Sequence, residues 1–230
     1  MEKSIDPIEL SEELLLAVKL KKATTPLEAG LKNLSLSSLK EALQDDDRKK
    51  AFWINSYNAY FQIIRSEGTQ KPDIYRKRLI HIAGYVFSLD DIEHGILRRN
   101  RYKYSMGYLK NIFAKRMIKS LSVDRLDYRI HFALNCGAKS CPPIAFYKHS
   151  LLDKQLNLAT QSFLEAETII DEQEATVHVT ALFKWFAGDF GGKKGIVNIY
   201  KNQLDVDISK LEIKYSAYSW EEDLYNFSKT

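Results

Sequence analysis

The chain of 230 residues is long enough for one large domain or two small ones, and its 45% hydrophobic and 12% aromatic residues can fill a core. Thirty-four Lys and Arg against 30 Asp and Glu give a formal net charge of +4, and most basic residues are interspersed with acidic ones. This mixture indicates a solvated surface and argues against a nucleic-acid partner.

No apolar run approaches the roughly 20 residues that a membrane span needs, and the N-terminus is acidic and amphipathic, unlike a secretory signal. Two cysteines are too few for a disulfide-stapled secreted scaffold of this length. We therefore expect no membrane span and a cytoplasmic location, with the reservation that a signal peptide already removed leaves no trace in the sequence.

Apolar spacing predicts helices over residues 8–20 and 36–43, with Pro26 closing the segment that follows the first. The acids at 45–47 are N-cap candidates for a longer helix over 48–66, which is apolar on most of its circumference and should be buried. Asn55 and Asn58 lie on one side of it, and an unpaired buried amide costs ~1 to 3 kcal/mol. They either anchor neighbouring loops or belong to a site.

Residues 79–87 predict a short hairpin or bent strand, and Ser88 with Asp91 resembles the capping box of a helix that follows. Residues 109–121 predict an amphipathic helix, 129–135 a strand, and 150–167 a helix capped by Ser150. The remaining residues predict a hairpin of 168–171 with 176–180 and a helical piece over 181–190. They also predict a helix over 194–204 and a last strand within 211–225.

These elements predict one α+β domain, mainly helical with a small sheet of short strands. We divide the chain into a helical N-terminal extension packed on the core (1–44), a core (45–220) and a C-terminal tail (221–230).

The densest basic stretch is interleaved with tyrosines and allows two interpretations. It could stack bases or hold phosphates, or it could be an exposed helix end, where cations complement the helix dipole. We favour the helix end. The residues are Arg98, Arg99, Arg101 and Lys103, with Tyr102 and Tyr104.

The segment RIHFALNCGAKSCPP at 129–143 carries both cysteines, Cys136 and Cys141, and His131. A catalytic cysteine needs a positive neighbour or a helix N-terminus to favour its thiolate. Because Pro142 suits the first position of a helix, we expect Cys141 just outside a short helical turn, where free N–H groups would stabilise a thiolate or an oxyanion.

The general base has two candidates. His94 follows Asp90 by four residues and Asp91 by three, so that a carboxylate can orient its imidazole. His131 is nearer the cysteines in sequence and, on a strand, shares a face with Ala133 and Asn135.

Three other roles remain open for the cysteines. They can be small buried hydrophobes, with both histidines structural. A metal site of His131, Cys136, Cys141 and His149 has looser spacing than compact zinc sites. A redox pair is geometrically possible but lacks the tight C-x-x-C arrangement. Motifs for nucleotide binding, zincin chemistry and α/β-hydrolase chemistry are absent from the sequence.

Five ordered segments of the chain carry a further signal: AFWINSYNAY (51–60), GYVFSLDDIEHGILR (84–98), RIHFALNCGAKSCPPI (129–144), FKWFAGDF (183–190) and the late YSAYSW. Together they resemble one known family, domain of unknown function 547, which occurs in bacteria and, beside leucine-zipper segments, in plants. The resemblance implies a fold more than a reaction. It points to Asn55 and Asn58, to Glu93, His94 and Arg98, and to His131, Cys136 and Cys141 as one assembled pocket.

The resulting hypothesis is a cysteine-dependent hydrolase or acyl transferase. Cys141, or else Cys136, attacks the substrate, His94 acts as base, Glu93 or Asp90 orients the base, and Asn55 or Asn58 polarises the substrate. Asn58, Arg98 and Asp90 are the predicted binding residues. The logic is similar to that of papain-like or transglutaminase-like enzymes, although His94 precedes both cysteines, opposite to their usual order.

The competing hypothesis is a non-catalytic module that binds a peptide or small ligand and has structural cysteines. Under either hypothesis we expect no cofactor and no metal, and a small molecule or peptide as partner.

Overall fold

The computed structural model describes residues 6–228. The first five residues of the predicted extension and the last two of the predicted tail lie outside this range. Within it the chain forms nine α-helices, five short strands, one π-helix and three 3-10 helices. The α-helices are α1 (Pro7–Lys19), α2 (Thr25–Asn33), α3 (Leu36–Ala42), α4 (Asp46–Ser66), α5 (Asp73–Arg76), α6 (Arg116–Leu121), α7 (Leu152–Glu167), α8 (Leu182–Trp185) and α9 (Gly192–Leu204).

The strands pair into two small sheets. They are β1 (Ile80–Ile82), β2 (Tyr85–Phe87), β3 (Ile169–Asp171), β4 (Thr176–Val179) and β5 (Glu212–Tyr215). β1 and β2 form an antiparallel hairpin, while β4 pairs antiparallel with β3 and parallel with β5. The predicted α+β architecture with a small sheet of short strands is confirmed.

Helix α4 is the centre of the larger hydrophobic cluster. Its N-cap is Asp45, whose carboxylate accepts from the N–H of Arg48 at 2.8 Å, as the acidic run predicts. Every residue from 50 to 64 is buried, because α1, the π-helix and α7 pack around it. A second cluster joins α7, α8 and α9 to the face of β4.

The predicted capping box is present at the start of the π-helix Asp91–Leu97. The N–H of Asp91 donates to Oγ of Ser88 at 3.0 Å, and the N–H of Ser88 donates to the Asp91 carboxylate at 3.1 Å. The wider turn of a π-helix, common at functional sites, brings the side chains of Glu93 and His94 to the cavity described below.

The predicted strand over 129–135 is wrong. Residues Tyr128–Phe132 form a 3-10 helix, and the chain then turns. The carbonyl of Ala133 and the N–H of Asn135 are taken by the side-chain amide of Asn58, at 2.9 Å each, so they are not available to a neighbouring strand. The strand face predicted to carry His131 therefore does not exist.

Three other local predictions need correction. Of the predicted helix over 109–121, only Arg116–Leu121 is helical. Pro26 does not close a segment but occupies the first turn of α2, where its fixed φ and missing N–H are tolerated. Leu151, not Ser150, precedes α7, after the 3-10 helix His149–Leu151.

Between residues 6 and 228, none of the helices combines the length and apolarity needed to cross a membrane.

Candidate functional site

A cavity of about 260 Å³ lies between the π-helix, the cysteine-bearing turn and the C-terminal segment. Its wall combines aromatic rings with ionisable side chains, the arrangement usual for small-molecule sites. The aromatic residues are Tyr57, Tyr75, Trp185, Phe186, Tyr218 and Trp220, and the ionisable ones are Asp90, Glu93, His94, Lys103 and His131. Leu134, Cys136, Cys141, Pro142 and Leu182 complete the wall.

The cavity wall includes six of the nine predicted site residues, drawn from two separate sequence segments. These are Asp90, Glu93, His94, His131, Cys136 and Cys141. Asn55, Asn58 and Arg98 lie behind the wall and are fully buried. Their functional roles stay predictions, and their contacts are described below.

Cys136 and Cys141 are joined in a disulfide, with Cα atoms 6.2 Å apart. The N–H of Cys136 also donates to Sγ of Cys141 at 3.0 Å, and the hydroxyl of Tyr218 lies 3.1 Å from the same sulfur. Gly137 has φ +66°, and a Cβ there would stand 2.6 Å from the ring of Phe61, so the turn requires glycine. The structure thus describes the oxidised pair, with neither sulfur a free thiol.

The helical turn predicted after Cys141 is absent, since no helix begins between residues 142 and 148 of the described chain. Cys141 is therefore not at a helix N-terminus. The N–H group that reaches its sulfur comes instead from Cys136, five residues earlier.

The C-terminal segment, residues 218–223, contributes Tyr218 and Trp220 to the cavity wall. Backbone N–H groups of Lys139 and Asp223 donate to the carbonyls of Glu221 and Gly137, at 2.8 and 3.0 Å. These bonds fasten the segment along the cysteine turn and so hold its aromatic residues near the disulfide.

Three of the rings form a contiguous aromatic wall. The rings of Trp185 and Trp220 stack with centroids 5.4 Å apart, and the ring of Tyr218 lies 4.7 Å from each. Phe186 stacks on the imidazole of His131 at 4.0 Å. Burial raises the pKa of Tyr218, so its hydroxyl stays protonated and can donate.

His94 is held as a neutral imidazole. Nη1 of Arg98 lies 2.8 Å from Nδ1 of His94, and because arginine can only donate, Nδ1 accepts and the ring proton sits on Nε2. Burial, followed by the charge of Arg98, lowers the pKa of His94 to about 3. Nε2 faces Oδ1 of Asp90 at 3.5 Å. The basic lone pair is already engaged, which weighs against His94 as a general base.

Arg98 forms a buried ion pair that sequence reasoning missed. Its Nε donates to Oδ2 of Asp189 at 2.5 Å, and both side chains are fully buried. Burial alone would raise the pKa of Asp189, but hydrogen bonds from His131 and Arg98 outweigh it and lower the pKa. Asp189 is therefore a carboxylate at neutral pH.

His131 is the second neutral imidazole. Burial lowers its pKa and outweighs the opposing hydrogen bond to Asp189. Its Nε2 lies 2.9 Å from Oδ2 of Asp189, so the neutral ring donates from Nε2. Nδ1 then carries a lone pair that accepts no hydrogen bond from the residues the structure describes.

Glu93 carries a negative charge on the cavity wall. Its Oε2 accepts from the hydroxyl of Tyr57 at 3.2 Å, and burial keeps the pKa of Tyr57 well above its usual range. Its Oε1 lies 3.5 Å from Nδ1 of His94, which has no proton to donate. Within residues 6–228, no Lys or Arg ion-pairs with Glu93. Asp90, by contrast, is paired with Lys103 at 2.7 and 2.8 Å.

The two asparagines of α4 anchor backbone. Asn55 donates to the carbonyl of Tyr147 at 2.8 Å and accepts from its N–H at 3.0 Å, while Asn58 bridges Ala133 and Asn135 in the same way. All four amide atoms are occupied. Of the two alternatives predicted for these amides, the contacts are those of loop anchors.

Sequence reasoning missed Asp189, Lys103 as the partner of Asp90, and the aromatic wall. A signal existed for two of these. Asp189 is the single acid inside the aromatic run FKWFAGDF, and an acid in such a run needs a buried partner. Tyr218 and Trp220 lie in YSAYSW, which stands out in the sequence only through the family resemblance.

The predicted alternative of a metal site finds no support in the described part of the chain. No group of three or more His, Cys, Asp or Glu side chains in residues 6–228 is arranged to hold a metal ion. Both cysteines of that candidate set are committed to the disulfide.

Fold and cavity together define an α+β protein with one wall of rings and one of ionisable groups. The family model described as "Protein of unknown function, DUF547" matches residues 41–164, more than half of the chain. The chain therefore belongs to this family, and the resemblance noted in the sequence is confirmed. FKWFAGDF and YSAYSW lie beyond the matched residues. No curated protein and no solved structure matches the chain.

Proposed function

We propose that this protein is a non-catalytic binding module whose cavity accepts a small organic cation, such as a primary amine. One observation carries the proposal. Oε1 of Glu93 lies on the cavity wall with no hydrogen-bond donor and no cationic partner among the described residues. The Glu93 side chain is only 14% exposed, and an ammonium group of a ligand would give Oε1 the charge-assisted hydrogen bond that the described residues do not provide.

The charges around the cavity support a cationic ligand. The ionised residues on its wall are Asp90, Glu93 and Lys103, since both histidines have lowered pKa values and are neutral at pH 7. Lys103 compensates Asp90, to which it is hydrogen-bonded. One negative charge, that of Glu93, remains uncompensated in a partly desolvated space.

The aromatic wall supports the same ligand class, because cations are attracted to the faces of Trp and Tyr rings. Two rings that line the cavity already form cation–π contacts with basic side chains of the protein. The guanidinium of Arg98 lies 4.6 Å from the centroid of Phe186, and Nζ of Lys71 lies 5.4 Å from that of Trp220. The volume of about 260 Å³ lies just below the ~300 to 1,000 Å³ of drug-sized sites, which favours a small ligand.

Titration with three isosteric probes tests the proposal. Butylammonium, butanol and butyrate differ mainly in charge, and Trp185 and Trp220 on the wall report occupancy through their fluorescence. We expect saturable binding of butylammonium, much weaker binding of butanol and none of butyrate. Trp185→Phe should reduce the signal change, which locates the probe. Equal binding of all three probes, or a preference for butyrate, would contradict a cation site.

A cysteine-dependent hydrolase or acyl transferase is the second candidate, and it concerns the reduced protein. Two donors converge on Sγ of Cys141, the N–H of Cys136 and the hydroxyl of Tyr218. Hydrogen bonds of this kind favour a thiolate. His131 is oriented by Asp189, and its Nδ1 lone pair accepts no hydrogen bond from the described residues, so it is a better base than His94.

In that candidate a dithiol reductant first opens the disulfide. The Cys141 thiol then passes its proton to His131, and the resulting thiolate adds to an acyl carbon. The leaving group departs with the proton that the His131 imidazolium returns, and water or another acceptor then releases the acyl group and restores the Cys141 thiol. Iodoacetamide labelling of the reduced, folded protein across pH tests it. Rapid labelling of Cys141 below pH 7, slowed in His131→Ala, would support the enzyme. Labelling only above about pH 8.5, the usual pKa of a thiol, or only in denaturant, would rule out the enzyme.

A further inference from the structure

Residues 99–119, which extend from the end of the π-helix into the first turn of α6 and are here called the basic-apolar loop, combine positive charge with exposed apolar side chains. The loop holds seven of the 34 Lys and Arg residues and none of the 30 Asp and Glu. The remaining 27 basic residues are outnumbered by the acids, so the excess positive charge of the protein is concentrated here. We propose that the basic-apolar loop binds the surface of a membrane that contains anionic lipids. This proposal is independent of the cation cavity.

The apolar side chains of the loop are unusually exposed. Phe113 is 88% exposed, Ile112 73% and Leu109 64%, and Tyr104 and Tyr108 are also largely in solvent. Isolated exposed apolar residues are common, but several from one segment indicate an interaction surface. The predicted helix over 109–121 would have buried part of this set, whereas the observed loop leaves it in solvent.

The backbone of the loop has a fixed shape. The N–H of Tyr102 donates to the carbonyl of Leu109 at 2.8 Å, and that of Asn111 donates to Asn100 at 2.6 Å. Another bond, from the N–H of Gly188 to the carbonyl of Met106 at 2.7 Å, fixes the loop to the body of the protein. A loop with paired backbone groups can enter the lipid interface without leaving those polar groups unsatisfied.

The cations of the loop are available to lipid phosphates. Arg99, Lys110, Lys115 and Arg116 are exposed, and no carboxylate of the described chain forms an ion pair with any of them. Stable attachment to a bilayer usually requires both apolar insertion and a basic cluster, because either alone binds marginally. The basic-apolar loop carries both.

The two kinds of side chain are neighbours in space. Phe113, Tyr102, Arg101 and Lys115 line one depression of about 290 Å³. Its two carboxylates, Asp90 and Asp91, are ion-paired with Lys103 and Arg78. The tyrosines and cations alone would equally suit a single-stranded nucleic acid, which stacks its bases on aromatic rings. The aliphatic Ile112 and Leu109 at the most exposed positions gain nothing from stacking and favour hydrocarbon, so the membrane is the better partner.

Sedimentation of the full chain with vesicles tests the proposal. The probes are vesicles of phosphatidylcholine alone and vesicles that also contain phosphatidylserine. We expect binding only to the second kind, weakening as salt increases. Ile112→Gln/Phe113→Gln and Lys110→Glu/Lys115→Glu should each weaken binding about tenfold or more. Exposed residues elsewhere provide matched controls, Leu158→Gln/Ile169→Gln and Lys193→Glu/Lys194→Glu, which should bind like the unaltered protein.

A spectroscopic variant reports insertion directly. Tryptophan in Phe113→Trp should shift its emission to shorter wavelength on addition of phosphatidylserine vesicles, and circular dichroism checks that every variant is folded. Absence of vesicle binding, or binding unaffected by Ile112→Gln/Phe113→Gln, would overturn the proposal. Binding of an oligothymidylate in place of vesicles would overturn it in favour of a nucleic-acid surface.

Discussion

Nη1 of Arg98 lies 2.8 Å from Nδ1 of His94, while Nε of the same guanidinium lies 2.5 Å from Oδ2 of Asp189. One buried cation therefore fixes the tautomer of a cavity-lining imidazole and neutralises a buried carboxylate. This relationship makes His94 a neutral group of the wall, so Glu93, which has no cationic partner among residues 6–228, is the charge that the proposed ligand would meet.

The stability of the protein should fall as the pH falls below about 6.5. The pKa of His94 is about 3 in the folded protein and 6.5 for a fully solvated histidine, so between these values the unfolded chain binds more protons. The contribution is fully present above pH 6.5 and is lost as the pH falls towards 3, at up to about 1.4 kcal/mol per pH unit. His131, whose pKa is also lowered, acts in the same direction.

His94→Gln tests this assignment, because the glutamine oxygen can still accept from Arg98 but does not titrate. Urea unfolding at pH 7 and pH 5 should give a smaller difference in the free energy of unfolding for the variant than for the unaltered protein. Identical pH dependence in the two proteins would show that His94 titrates normally.

Asp189→Asn should destabilise the protein strongly. The substitution leaves the guanidinium of Arg98 buried without a counter-charge, which typically costs about 3 to 5 kcal/mol. Glu221→Gln is the matched control, because Glu221 pairs with Lys139 on the surface at 3.2 Å and such pairs contribute little. The denaturation midpoint measures both. Similar midpoints for the two variants would contradict a buried pair.

Asn55→Ala should lower the free energy of unfolding by roughly 2 to 5 kcal/mol, since it leaves the N–H and the carbonyl of Tyr147 buried and unpaired. Asn198→Ala, on the exposed side of α9, is the control and should have little effect. A stable Asn55→Ala variant that had lost ligand binding would restore Asn55 as a site residue.

Features determined by local sequence could be predicted. The position and the burial of α4 are examples, because apolar residues cover most of its circumference. The capping box of Ser88 and Asp91 is another, because both partners lie within one turn. The segment over 129–135 could not be predicted, because its backbone groups bond to Asn58, 75 or more residues earlier. The alternation of apolar residues in this segment is typical of a strand, and only the contacts with Asn58 show that it is not one.

The site was only partly predictable for a similar reason. The ionisable and sulfur-bearing residues of the wall stand out in the sequence by their chemistry, and six of them were predicted as site residues. Asp189 and Tyr218 contact partners that are far away in the sequence. Asp189 pairs with Arg98, 91 positions earlier, and Tyr218 contacts Cys141, 77 positions earlier. Contacts with distant residues also decide which imidazole has a ring nitrogen available as a base. Sequence spacing does not show these contacts, and it pointed to His94 because Asp90 and Asp91 lie one turn before it.

The most direct test of the proposed cation site is the ratio of butylammonium affinity to butanol affinity, measured in the unaltered protein and in Glu93→Gln. The substitution keeps the shape of the side chain and removes its charge, so the change in the ratio isolates the interaction between carboxylate and ammonium. We predict that the ratio falls about tenfold or more while butanol affinity changes little. An unchanged ratio would contradict the proposal that Glu93 recognises a cation.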